Sequence, residues 1–300
     1  MSKIAVWINA FRLRTLPLAL SSTFVGSFLA VPEGKFKWQV LFFSALTTTF
    51  LQILSNLAND YGDSKNGVDN DCRVGPVRAV QSGKISLAGM KRLVIAFIVL
   101  SLASGLILIY YGLTNLPFVY PILFLAVGIS AIIAAVKYTV GKNPYGYSGF
   151  GDPLVFLFFG LVGVCGTYYL HTNYFNAWTL LPAGAIGLLS TGVINLNNMR
   201  DIENDSLCGK RTLVVRMGQK NAKIYHTLLI IFAILISLLY TLIFWESIYQ
   251  LLFLLTLPFL FLNIKTVLGN KVPMELNVEL KKLALTTFAF SLSFGIGLIL

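Results

Sequence analysis

Charge is what this 300-residue sequence has least of: Asp, Glu, Lys and Arg make up 12% of it, against 56% hydrophobic residues. A soluble domain carries about twice that charge. With a mean hydropathy of +0.77, the composition excludes a water-soluble globule. Cysteine is scarce too. Cys72, Cys165 and Cys208 show no metal-ligand spacing and read as structural or incidental. The lone histidines His171 and His226 have no partner spacing and read as non-ligands. The alternating pattern of a membrane β-barrel is missing. The first apolar segment lacks a small-residue cleavage site and follows Arg12 and Arg14, so no cleavable leader is expected.

What is present is a series of apolar runs, each near the ~20 residues that a membrane span needs. They lie near 16–31, 39–57, 93–112, 118–136, 154–170, 178–197, 227–244, 247–264 and 284–300. The expected fold is therefore all-α, a multispanning bundle of about nine transmembrane helices forming a single membrane domain over 1–300. With the N-terminus in the cytoplasm, all of the 23 Lys and Arg except Lys35 and Lys37 fall on the cytoplasmic side. That asymmetry fixes the expected orientation. The net charge of +11 then reports topology and an anionic ligand. Nucleic acid is not expected as a partner, because no basic domain outside the membrane exists to hold it. The sequence gives no sign of a protein partner.

The polar residues concentrate at the cytoplasmic helix ends. The run from Trp38 closes in Asn56-Leu-Ala-Asn59-Asp60-Tyr-Gly-Asp63, with Asp69 and Asp71 following. Continued as a helix, it places Gln52, Asn56, Asn59, Asp60 and Asp63 within an arc of roughly 100°. Such groups are costly at membrane depth and persist where they face a cavity or an ion. A second run ends in Asn195-Leu-Asn197-Asn198-Met-Arg200-Asp201-Ile-Glu203-Asn204-Asp205, then Gly209-Lys210-Arg211-Thr212. On a helix, Asn198, Asp201 and Asp205 lie within about 60° of one another. The two segments, 56–71 and 195–212, form a pseudo-repeat, and repeated halves place a ligand site between them. Basic residues accompany both: Arg73, Arg78 and Lys84 after the first, Lys210 and Arg211 in the second. Arg14 stands at the cytoplasmic mouth, where it is expected to close over an anion. Tyr138 and Lys142 are one helical turn apart and are expected to point at one spot.

Two facing carboxylate stripes neutralise one another by sharing cations. Hard oxygen ligands favour Mg²⁺, whose shell is completed by water and phosphate oxygens. Arg and Lys suit the phosphate, and an interior of Phe, Leu, Ile and Gly suits a long apolar tail. Together these describe a lipid diphosphate with its head at the cytoplasmic mouth, and a reaction that moves its prenyl group onto a nucleophile.

The motif Asn56-x-x-Asn59-Asp60-x-x-Asp63, with Asp201-x-x-x-Asp205 and nine spans, resembles the UbiA-type superfamily of intramembrane prenyltransferases. Arg14-Thr-Leu-Pro, Tyr145-Gly-Tyr-Ser-Gly-Phe-Gly-Asp152, Asn197-Asn-Met-Arg-Asp201 and Gly209-Lys-Arg-Thr-Leu-Val-Val-Arg resemble its branch acting on 1,4-dihydroxy-2-naphthoate in menaquinone synthesis. The resemblance implies Mg²⁺ held by Asp60, Asp63, Asp201 and Asp205, assisted by Asn56 and Asn198. It also implies diphosphate contacts from Arg73, Tyr138, Lys142 and Lys210, with Asn59 and Arg78 lining the site. Its implied substrates are a polyprenyl diphosphate and 1,4-dihydroxy-2-naphthoate, in the bilayer of a bacterial cytoplasmic membrane. Gly67 stands where many members carry Asp, leaving Asp69 or Asp71 as a ligand or as the base toward the acceptor. Other aromatic acceptors, 4-hydroxybenzoate among them, fit the same physical pattern. A transporter fits less well, because the acids gather at one mouth beside phosphate-type basic loops.

Overall fold

The computed structural model describes residues 3–69 and 74–300, and every regular element among them is helical. Arg73, Asp71 and Cys72 lie outside the described residues. The chain runs α1 (Lys3–Phe11), α2 (Leu16–Phe28), α3 (Trp38–Lys65), α4 (Leu87–Leu113) and α5 (Val119–Lys137). It continues as α6 (Gly151–Val155), a π-helical stretch (Phe156–Cys165) and α7 (Gly166–Thr172), which form one rod. Then come α8 (Leu180–Arg200), α9 (Ile202–Leu207), α10 (Leu213–Ile243), α11 (Leu257–Gly269) and α12 (Leu276–Gly297).

Seven stretches among the described residues are long and apolar enough to cross a membrane. Of the nine runs read from the sequence, the first and last are not among them. The first forms α2, of only 13 residues. The last lies in α12, whose first turns carry Glu279, Lys281 and Lys282. With its all-helical architecture and exposed apolar faces, the chain is an integral membrane protein. In α5 no residue is buried against protein, as suits a helix facing lipid on most sides. At the other extreme, 67% of the span containing α8 is buried, so α8 is the central post.

Two apolar cores flank the polar mouth. One joins α1, α3 and α4 through Ala10, Leu54, Leu57, Met90 and Phe97. The other joins α2, α8, α10 and α12 through Val25, Leu189, Leu196, Ile230, Leu283 and Phe290. The approach of α2 to the π-helical rod requires glycine. A Cβ on Gly26 would lie 2.5 Å from the Val164 carbonyl oxygen and 2.8 Å from the Thr167 Cβ. Gly26→Ala is therefore expected to cost about 1–3 kcal/mol. Gly166→Ala in the same rod meets nothing within 4 Å and should gain up to ~1 kcal/mol of helix propensity. Unfolding midpoints in detergent measure both; equal effects would contradict the packing described.

Candidate functional site

The acidic stripe forms because α3 runs on through it to Lys65 without a break. Asn56, Asp60 and Asp63 are all buried on this last stretch. Gly62 lets the helix approach the segment after α5: a Cβ there would lie 2.6 Å from the Thr139 carbonyl oxygen. Thr139 Oγ1 donates to the Ala58 carbonyl (3.0 Å), and Asn66 Nδ2 donates to the Thr139 carbonyl (3.0 Å).

Arg78 organises the first motif. Its Nη1 donates to Asp63 Oδ2 at 2.6 Å, to Asp69 Oδ2 at 3.1 Å and to the Asn59 carbonyl at 2.8 Å. Burial opposes its charge, yet Asp63, Asp69 and Asp60 together raise its pKa above the ordinary arginine value. Tyr147 donates its hydroxyl to Asp63 Oδ1 at 2.6 Å. Its own ionisation is pushed up, by burial first and by the Asp63 charge next. Asp60 Oδ2 accepts from the Ala79 backbone N–H (3.2 Å), while Asp60 Oδ1 is buried without a partner.

The second motif is not one continuous helix, unlike the sequence expectation. The helix stops at Arg200, Asp201 adopts φ −98 and ψ 13, and α9 begins at Ile202. Arg200 spans this break. It donates through Nε to Asp201 Oδ1 (3.0 Å), through Nη1 to Asn277 Oδ1 (2.8 Å) and through Nη2 to Asn197 Oδ1 (2.9 Å). Lys210 Nζ sits 3.4 Å from Asp205 Oδ1. Burial raises the Asp205 carboxyl to about 6; Lys210 opposes this, while Asp201 and Asp63 add to it. Asp205 Oδ2 and Asn198 Oδ1 are buried without partners.

The two motifs meet. Asn204 Nδ2 donates to the Val68 carbonyl at 3.1 Å. The Arg211 backbone N–H donates to the Tyr147 carbonyl at 2.8 Å, and Arg216 donates to the Ser148 carbonyl at 2.8 Å. Lys210 Nζ lies 5.5 Å from the centre of the Tyr147 ring. The Gly- and Tyr-rich segment thus clips one motif to the other.

The remaining candidates divide. Tyr138 turns inward after α5 ends, lining a cavity with Asn59, Asp63, Arg78 and Lys210. Its ionisation is pushed well above the ordinary tyrosine value by burial, then by Asp152 and Asp63. Lys142 is exposed and does not line that cavity, because the helix has stopped before it. Asn56 donates to the Phe11 carbonyl and to Thr15 Oγ1, both at 3.0 Å, anchoring the lead-in to α3. Arg14 is at the rim of a second cavity, where desolvation and then the nearby Arg200 lower its pKa. Tyr147 and Arg200 were not among the sequence candidates. Their only signal was position, Tyr147 inside the Gly-rich string and Arg200 directly before Asp201.

The two cavities adjoin, sharing Arg12, Thr15, Arg78, Asn197 and Leu280 in their walls. One, of about 400 Å³, runs from Asn59, Asp63 and Lys210 inward past Leu51, Phe158 and Val162 toward Phe124 and Leu170. The other, of about 540 Å³, is lined among the described residues by six basic side chains, Arg12, Arg14, Arg78, Lys84, Arg200 and Lys281, and by one acid, Asp60. Among the described residues, no three acidic, His or Cys groups converge on one point as metal ligands do. Each motif is held by a basic side chain instead.

The chain is 42% identical to a 1,4-dihydroxy-2-naphthoate octaprenyltransferase of Haemophilus influenzae, over 99% of this chain and 97% of that protein. It is 40% identical to the protein of the same name in Escherichia coli, over 100% and 97%. Among solved structures, it superposes on the apo structure of a UbiA homologue from Aeropyrum pernix with a TM-score of 0.69 at 17% identity, covering 96% of this chain and 98% of that one. A homologue from Archaeoglobus fulgidus bound to GPP and Mg²⁺ gives 0.68 at 17% identity, covering 98% and 99%. These two similarities concern the fold. Residues 19–273 match the UbiA prenyltransferase family, and the chain belongs to it.

Proposed function

We propose that this protein transfers a polyprenyl group from a polyprenyl diphosphate to 1,4-dihydroxy-2-naphthoate, releasing diphosphate and CO₂ and leaving a demethylmenaquinol, the reduced form of demethylmenaquinone. The observation that carries the reading is the pair of interlocked carboxylate motifs, threaded with Arg78, Arg200 and Lys210, at the mouth of an apolar cavity. The relatives named above supply the acceptor's identity. Those names also support a bacterial cytoplasmic membrane, and the one-sided distribution of Lys and Arg supports an active-site mouth facing the cytoplasm.

The residues fit a divalent cation, for which we propose Mg²⁺. Asp60 Oδ1, Asp205 Oδ2 and Asn198 Oδ1 are buried oxygens with no partner, and such atoms are costly unless something binds them. Asp60, Asp63, Asp201 and Asp205 would hold the ion, with Asn198 assisting. When bound, it takes up charge developing on the departing diphosphate.

The chain's own side chains do the rest. Lys210, Arg78 and Tyr138 line the cavity mouth where the diphosphate head sits, and the apolar wall takes the tail and keeps water from the allylic cation. The adjoining basic cavity suits a carboxylated aromatic ring, with Arg14 and Arg200 facing its carboxylate. The hydroxyl-activated ring carbon bearing that carboxylate attacks the allylic C1. The resulting keto acid loses CO₂ as β-keto acids do. Asp69, whose Oδ2 accepts from both Arg78 and Ser64 (3.2 Å), holds Arg78 in place rather than standing ready as a base.

The test is the purified protein with Mg²⁺, a polyprenyl diphosphate and carboxyl-labelled 1,4-dihydroxy-2-naphthoate. The expected outcome is a prenylated product without label, with turnover abolished by EDTA and reduced to background in Asp60→Ala, Asp63→Ala and Asp201→Ala. Label retained in the product, or prenylation of 4-hydroxybenzoate alone, would overturn the acceptor. Lys210→Ala should raise the KM for the prenyl donor by the equivalent of about 1.5–3 kcal/mol, the scale of a charged hydrogen bond. Exposed Lys142→Ala should change it far less; the opposite ranking would show that the phosphate site lies elsewhere.

A further inference from the structure

Every carboxylate proposed above as a metal ligand already has a donor from this chain. Asp63 is bonded by Arg78 and Tyr147, both at 2.6 Å, and Asp60 by the Ala79 N–H at 3.2 Å. Asp201 is gripped by Arg200, and Asp205 faces Lys210 at 3.4 Å. Conversely, the cations expected to meet phosphate are turned toward carboxylates. The pairs are nearly dry: the Lys210 side chain is 7% exposed and that of Asp205 2%. Charges interact strongly in such surroundings, so a metal ion approaching Asp205 meets an ammonium already there.

We propose that Lys210 serves as an internal counter-ion that keeps Asp205 from a metal until a diphosphate draws it away, while Arg78 and Arg200 stay on their carboxylates. The inference rests on the donor reading given above. Phosphate oxygens offer its ammonium charge-assisted bonds at least as strong as the one it leaves, and the vacated Asp205 Oδ1 then joins the unpartnered Asp60 Oδ1 and Asp205 Oδ2. Metal and diphosphate thus favour each other's binding, and linkage makes the gain equal in both directions. Lys210 is the member best placed to move. It holds Asp205 by one contact at 3.4 Å on a flexible stem, whereas Arg78 makes three bonds and Arg200 spans Asn197, Asp201 and Asn277. Its Nζ also lies within 5.5 Å of the Tyr147 ring centre, and the residue lines the apolar cavity. A short swing takes the charge from carboxylate to cavity mouth.

The mechanism makes an unusual demand: removing one positive charge should help one ligand and hurt the other. Calorimetry on the full-length protein in detergent measures Mg²⁺ alone, then geranyl diphosphate at saturating Mg²⁺. Lys210→Met should bind Mg²⁺ alone about 10-fold more tightly than the wild type, a coupling of ordinary allosteric size. It should bind geranyl diphosphate more weakly, and Lys210→Arg, which keeps the charge, should show neither change. If Lys210→Met fails to reach the wild-type unfolding midpoint, Lys210→Gln takes its place. Metal affinity unchanged or lowered in the neutral variant overturns the proposal. No acceptor is present, so a wrong acceptor leaves the result unmoved. If geranyl diphosphate binds neither protein, the donor reading falls while the Mg²⁺ comparison still decides the exchange.

Discussion

A buried carboxylate at the end of a membrane helix is tolerated only while something shares its charge, and Arg78 does so for two of them at once. Its bonds to Asp63, Asp69 and the Asn59 carbonyl fold the loop after α3 back over the helix end. That return brings Ala79 to Asp60 and sets one wall of both cavities. Removing one member of such a pair leaves its partner buried and uncompensated, at a cost of about 3–5 kcal/mol. The interaction is therefore a structural requirement and, at the same time, a charge arrangement suited to a metal and a phosphate.

The second motif solves the same problem with different parts. Arg200 spans the break between α8 and α9, tying Asp201 to Asn197 and to Asn277 on α12. Lys210 covers Asp205 more loosely. The segment around Tyr147 then joins the motifs by its hydroxyl on Asp63 and its carbonyl on the Arg211 N–H. Polar groups at these helix ends thus form one connected network, which is how buried polar groups avoid the penalty of being left unsatisfied. The cavity beneath is lined more by apolar side chains, Leu51, Phe158 and Val162 among them, which suits a tail.

The acidic stripe on α3 was legible because helical periodicity alone places Asn56, Asp60 and Asp63 on one face, and the helix does continue through them. The pairing of the two motifs was legible from their composition. The break at Asp201 was not, since nothing in Met199-Arg200-Asp201 is a helix breaker; Arg200 and its three partners stabilise it through tertiary contacts. Lys142 illustrates the reverse error. A continuous helix would set it beside Tyr138, but the helix ends at Lys137 and the chain passes through Gly141 at φ 118, which leaves Lys142 outside. Tyr147 escaped notice because its partner, Asp63, is 84 residues away, and no local pattern announces such a bond.

On the proposed function, the two motifs together make one site for metal and diphosphate. Anomalous diffraction from crystals grown with Mn²⁺ and a non-reactive thio analogue of geranyl diphosphate tests it directly. Metal density is expected between the α3 and α8–α9 motifs, with oxygens of Asp60 or Asp63 and of Asp201 or Asp205 at about 2.0–2.3 Å, near the usual span for hard cations, and the diphosphate beside Lys210. Metal bound to one motif only, or lodged in the basic cavity away from both, would contradict it.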